Sequence, residues 1–201
     1  QAVGSDFWGK ADFTCVSFQA VKALTSGDGG AIICKDDLLD KKARRLRWFG
    51  YDRERKQKQG DMDLVEAGYK YHMNDIAAAI GRGNLAAMDR IMAHQRALMK
   101  VYEASGITGR PWFATMLHPR RSELQKYLAE RGIGSGTYHY RNDKYSIFGA
   151  SAYGKTVPGQ YPVMDEVESQ YLLLPLHMHI SVADVRRVIR AVEDFNGLPQ
   201  S

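Results

Sequence analysis

Residues 15–33 read CVSFQAVKALTSGDGGAII, and a single lysine, Lys22, stands there between two apolar runs and ahead of Gly27, Gly29 and Gly30. The runs DFTCVSF (12–18) and GAIICK (30–35) have the length and β-branched content of short buried strands bounded by turn residues. The glycines let the backbone take positive φ and fold back sharply into the second strand. A lysine held in so tight a turn has little freedom. If its amine is desolvated, it becomes a nucleophile toward carbonyl carbon. A phosphate loop of the form G-x-x-x-x-G-K-[ST] is excluded, because here the glycines follow the lysine. On these residues alone, a solvated surface lysine remains the other reading.

The surrounding composition sets limits. The chain has 201 residues, 44% hydrophobic and 25% charged, enough for one domain or two small ones. No apolar run of about 18 residues is present, so no membrane-spanning helix is expected. The opening QAVGSDFWGK lacks the basic and apolar regions of a signal peptide and reads as mid-domain sequence, so the chain is expected to begin inside a larger protein. Cys15 and Cys34 sit in the two strand-like runs and are expected to be buried, reduced thiols. The net charge of +5 is concentrated in KKARRLR (41–47) and RERKQK (53–58). These clusters read as a solvated helix face and a charged loop; a nucleic-acid surface is the weaker alternative.

Outward from the lysine, Asp36 or Asp37 caps a helix running to about Trp48, and residues 50–68 read as an irregular charged loop. From Asn74 or Asp75 an apolar stripe of Ile76, Ile80, Met88, Ile91, Leu98 and Tyr102 predicts one long helix ending near Gly106. Gly81 and Gly83 lie inside it, where each costs up to about 1 kcal/mol relative to alanine, so close approach of a neighbouring helix or chain is expected there. Beyond it, WFATMLH (112–118), GTYHY (136–140) and YLLLPLH (171–177) read as strands. SELQKYLAERG (122–132) reads as a helix capped by Ser122, and residues 181–197 as a helix with an S-x-x-D capping box. The pattern is α/β, with one part over 1–105, including the long linking helix, and a small α/β domain over 106–201.

The stretch around Lys22 resembles the Schiff-base strand and loop of the nucleotide-sugar aminotransferases that use pyridoxal phosphate (PLP), the DegT/StrS type, with its F-S-F-x-x-x-K followed by T-x-G-E/D-G-G. RWFGYDRE (47–54), GYKYHMNDIAAAIG (68–81), HYRNDKYSIF (139–148) and LLPLH (173–177) resemble further blocks of that family in the same order. The resemblance implies the C-terminal part of a fold type I transferase: a remnant of the large-domain sheet, a long bridging helix and a small C-terminal domain. It implies that Lys22 forms the Schiff base with PLP and shuttles the proton, and that Ser17 binds the cofactor phosphate. Gln1 would lie by the pyridine oxygen, and Lys70, where the family usually has Asn, would reach the phosphate of a partner subunit in a homodimer. His72, Arg141 and Asn142 would face the substrate. No metal is implied. The implied reaction is cytoplasmic transfer of an amino group, with glutamate as donor, to a keto-sugar nucleotide. Lys22 itself argues against the dehydratase branch, where His takes this place. The segment 105–113 is shorter than the family's usual connection, with its own strand expected to be lost. The family's N-terminal phosphate loop, ring-stacking aromatic and ring-nitrogen aspartate have no counterpart here. The alternative is therefore a non-catalytic fragment, or half of a split enzyme, that does not bind PLP alone.

Overall fold

The computed structural model describes residues 10–60, 64, 66–139, 141–145, 147 and 159–199. The chain divides into two compact units, residues 1–89 and 90–201.

The first unit begins with strand β1 (Phe13–Ser17) and strand β2 (Gly30–Cys34), an antiparallel ribbon in which Ser17 faces Gly30 and Phe13 faces Cys34. Helix α1 (Asp37–Leu46) follows, with the Asp36 carboxylate accepting from the amides of Leu38 and Leu39, as the capping pattern predicts. Residues 53–59 then depart from the expected loop. They form helix α2 (Arg53–Gln59), with Asp52 as its N-cap. Having no apolar face, α2 leaves no periodic signal; its cap, the acidic first turn at Glu54 and the basic end at Lys58 support it instead. Helix α3 (Asp75–Ala86), capped by Asn74, completes the unit.

The predicted long helix is broken once, at Ala87, which separates α3 from helix α4 (Met88–Glu103). Ala87 donates its amide to the carbonyls of Asn84 and Leu85, a tightened last turn rather than a continuing ladder. Leu98, Met99 and Tyr102 of α4 belong to the core cluster of the second unit, and the compact units part at Asp89, before the expected boundary near residue 106.

In the second unit, strands β3 (Thr108–Arg110), β4 (Phe113–Leu117) and β5 (Tyr171–Leu174) form an antiparallel sheet in the order β3-β4-β5. β3 is short but present, so segment 105–113 keeps a strand. Helix α5 (Arg121–Ala129) starts one residue before Ser122, which is therefore inside the helix and not its cap. A 3-10 turn (Asn142–Lys144), helix α6 (Pro162–Val167) and helix α7 (Val182–Asn196) complete the order. The Ser181–Asp184 capping box is formed in full. Of the expected strand at 136–140, Gly136 pairs with Leu173 as an isolated bridge; Tyr140 lies outside the described residues.

The two units differ in burial. Among the described residues, every buried apolar side chain belongs to residue 91 or later, and most of them form a cluster around Leu98, Tyr102, Leu124, Leu172 and Val185. Tyr102 has no exposed surface, and its hydroxyl donates to the Pro175 carbonyl at 2.9 Å. Burial pushes that phenol well above its ordinary pKa. In the first unit Phe13, Ile32 and Ile33 on the ribbon remain exposed, and so does Cys15, contrary to the expected buried thiol. A two-stranded ribbon has no second layer to cover it. Tyr102→Phe is expected to lower unfolding free energy by about 1 kcal/mol, because it removes the hydrogen bond to the part-buried Pro175 carbonyl; urea denaturation of the chain checks this.

Candidate active site

The turn between β1 and β2 carries the predicted lysine. Its geometry follows from a few hydrogen bonds. Phe18 donates its amide to Gly29 at 2.9 Å, and its carbonyl accepts from the Ser26 amide at 2.9 Å. The Thr25 hydroxyl donates to the same Phe18 carbonyl at 3.0 Å and accepts from the Gly27 amide at 2.9 Å. Residues 19–24 are thereby closed into a loop containing Lys22, whose amide donates to the Gln19 carbonyl at 2.9 Å. Gly27 and Gly29 have φ of +85° and +107°, conformations that L side chains resist. A Cβ on Gly30 would strike the Val16 carbonyl across the ribbon. Lys22 is half-buried, whereas Ser17, at the end of β1, is exposed; its hydroxyl accepts from the Gln19 amide at 3.3 Å.

Helix α3 and the segment before it press on this turn. Asn84 donates its side-chain amide to the Thr25 carbonyl at 2.8 Å. A methyl on Gly81 would lie 3.3 Å from Ser26 Cβ, and Ser26 is 3% exposed. Gly81 thus serves close approach, as its position in a helix predicts, but of the lysine turn and not of a second helix. Gly83 faces nothing within 4 Å. Met73 Cε comes within 3.2 Å of where a side chain on Gly29 would begin.

The same segment carries Lys70 and His72. Lys70 pairs with Trp48 in an antiparallel bridge, Phe49 donates its amide to Tyr69, and Tyr71 donates to Arg47. The two strands cross in backbone contact at Gly50 and Gly68, while Phe49 takes a φ of +57°. Lys70 is exposed. The His72 ring meets the Trp48 ring edge-on at 4.0 Å, and its Nδ1 is buried with no hydrogen-bond partner among the described residues. Tyr69 and Tyr71 stack at 4.8 Å beside Lys70. Thus Met73 joins the segment bearing Lys70 and His72 to the turn bearing Lys22 and Ser17. Gln1 lies outside the described residues.

Arg141 and Asn142 belong to the second unit. The Arg141 side chain is 4% exposed and is paired with the carboxylates of Asp143, Asp165 and Glu168. Its guanidinium holds Asp165 below the usual carboxylate range, assisted by the Gly159 amide. Glu168 is lowered mainly by Lys144, which donates to both its oxygens, and secondarily by Arg141. Arg141 therefore clasps the 3-10 turn to α6, and Asn142 and Lys144 are exposed on that turn. Neither Asp165 nor Glu168 was legible as a partner, since they lie 24 and 27 residues further along the chain.

Solved structures share this fold. The sugar aminotransferase CalS13 of Micromonospora echinospora superposes with a TM-score of 0.81 at 26% identity, over 90% of this chain and 52% of its own. DesV of S. venezuelae, solved with a ketimine intermediate, gives 0.77 at 25% identity over 96% of this chain and 54% of its own. The chain thus has the fold of the C-terminal half of fold type I sugar aminotransferases. Residues 1–193 match the DegT/DnrJ/EryC1/StrS aminotransferase family, and the chain belongs to it. A curated relative from Campylobacter jejuni, a UDP-4-amino-4,6-dideoxy-N-acetyl-beta-L-altrosamine transaminase, is 25% identical over 89% of this chain. The chain spans about half that relative's length, 51%.

The clasp yields a pH prediction. Because Asp165 and Glu168 have lowered pKa values in the fold, their contribution is present above the ordinary carboxylate range of about 4 and is lost as pH falls through the lower folded values. Arg141→Met is expected to lower the urea midpoint at neutral pH and to flatten its decline in acid, measured across about pH 3 to 7.

Proposed function

We propose that this chain is the C-terminal part of a PLP-dependent aminotransferase acting on a keto-sugar nucleotide, with Lys22 as the amine that carries the cofactor. The observation that carries the reading is the turn itself: a half-buried lysine closed between Phe18 and Thr25, five residues after an exposed strand hydroxyl, in a chain of this family. The donor set fits the cofactor. An amine suits its aldehyde, and the short Ser17 hydroxyl suits its phosphate dianion. When bound, PLP supplies an electron sink for the pair released at the substrate carbon.

The chain's own groups then have these roles. Lys22 Nζ anchors the cofactor covalently and afterwards accepts and returns the proton at the reacting carbon. Ser17 donates to the phosphate, and Gln1 contacts the pyridine oxygen. Lys70 offers a point charge to the phosphate of a second copy in a homodimer, a different geometry from the Asn usual in the family. His72 and Asn142 contact the sugar nucleotide; Arg141, whose guanidinium already holds three carboxylates, supports that contact by holding the turn. Glutamate is the proposed amino donor and the cytoplasm the proposed compartment. Among the described residues no helix is long and apolar enough to cross a membrane.

A second reading, that the chain does not hold PLP without another polypeptide, is favoured by the exposed Phe13, Ile32 and Ile33 of the lysine-bearing ribbon. Titration of the chain with PLP separates the two. A new absorbance band at the edge of the visible is expected, abolished in Lys22→Ala, with affinity lowered roughly 10- to 100-fold in Ser17→Ala. Absence of a Lys22-dependent band overturns the first reading for this chain and leaves the second.

A further inference from the structure

We propose that Asn84 is the positioning residue of the Lys22 turn, setting the place of the amine through its hydrogen bond to the Thr25 carbonyl; this rests on the reading of Lys22 given above.

The turn has its own internal closure, but all of it runs between residues 18 and 29. The Thr25 hydroxyl joins Phe18 to Gly27, Ser26 bonds back to Phe18, and the Ser26 hydroxyl donates to the Asp28 carbonyl. These bonds fix the shape of the loop and leave open where it sits against the rest of the unit. Approaches from outside the loop bear on that: Met73 toward Gly29, Gly81 toward Ser26, and Asn84 to Thr25. The first two are close approaches that the absence of a side chain on each glycine allows; they limit packing and have no preferred direction. The third is directional, 2.8 Å long and part-buried. Gly81 and Asn84 are three apart and so occupy one face of α3. The glycine lets Ser26 come close enough for the Asn84 amide to reach the neighbouring carbonyl.

Thr25 is where the external and internal bonds meet. Its carbonyl takes the Asn84 amide while its hydroxyl bridges Phe18 and Gly27, so a displacement of Thr25 moves both ends of the loop around Lys22. Asn84 does not contact the reacting atoms in this assignment; it acts through Thr25. Asp at this position would keep size and shape but set a carboxylate oxygen against a carbonyl, and Ala would leave the carbonyl without its partner.

The test is reductive labelling of the full chain with pyridoxal phosphate and cyanoborohydride, with the modified lysines quantified by peptide mass spectrometry as a function of cofactor concentration. In the unaltered chain Lys22 is expected to be labelled in preference to the other lysines. Asn84→Ala and Asn84→Asp are expected to lower the saturating rate at Lys22 by about tenfold, with less than about a twofold change in the half-saturating concentration. A general loosening of the fold would move both quantities. Arg82→Ala, on the exposed side of α3, is expected to change neither. If Asn84→Ala does not fold, the isosteric Asn84→Asp decides alone. Preferential labelling of Lys22 that persists at full rate in both Asn84 variants overturns the inference and leaves the function reading standing. Labelling of Lys22 no faster than the other lysines in the unaltered chain overturns the function reading, and this inference with it.

Discussion

The Lys22 turn depends on the Thr25 hydroxyl, which acts beside the backbone bonds that Phe18 makes with Gly29 and Ser26. One oxygen donates to Phe18 and accepts from Gly27, so a side chain does what a ladder of backbone bonds does elsewhere in a sheet. The glycines at 27 and 29 make the bend available, but they do not select it, since glycine visits many conformations with nearly equal ease. The threonine selects one of them. The consequence reaches Lys22 because the bonded residues lie on either side of it in sequence.

The two units are stabilised by different means. In the second, α4, α5 and α7 bury a shared cluster against a three-stranded sheet, and hydrophobic transfer at roughly 25 cal/mol per Å² is the dominant favourable term. Its polar features include the Tyr102 hydroxyl within that core, the capping box of α7 and the Arg141 clasp on α6. In the first, half-covered strands and helices are joined by side-chain caps, close approaches at glycines, and edge-on and stacked rings. Each such interaction contributes on the order of 1 kcal/mol or less. The chemistry proposed for Lys22 therefore lies in the unit whose order depends on directional contacts.

What could be read from the residues follows the range of the forces involved. β1, β2 and β5 announce themselves by apolar runs between turn residues, and α7 by its capping box and apolar period, because those signals lie within a few residues of each other. The lysine turn was legible for the same reason. α2 was not, since a helix with no buried residue has no apolar period to detect. The break at Ala87 was hidden because the apolar stripe continues across it. Cys15 looked buried because a strand of that composition normally has a layer on each face, and this ribbon has one partner strand. The Asn84–Thr25 bond spans 59 residues, and no local pattern marks either end. Asp165 and Glu168, the distant partners of Arg141, were missed on the same ground, and a cation surrounded by carboxylates reads, in one dimension, as a cation available to substrate.

The crossing of Gly50 and Gly68 has a consequence for how this chain can change. Each position sits closest against backbone, and at Gly50 against the Leu64 side chain as well. Alanine at 68 would meet the amide and Cα of residue 50; alanine at 50 would meet the carbonyl of Glu66. No compensating substitution nearby can make room, because the obstructing atoms are common to all amino acids. The two sites therefore form a dead end for single-step variation. Diversity in the segment that delivers Lys70 and His72 has to enter at the side chains between and around them, such as the exposed stacked pair Tyr69 and Tyr71.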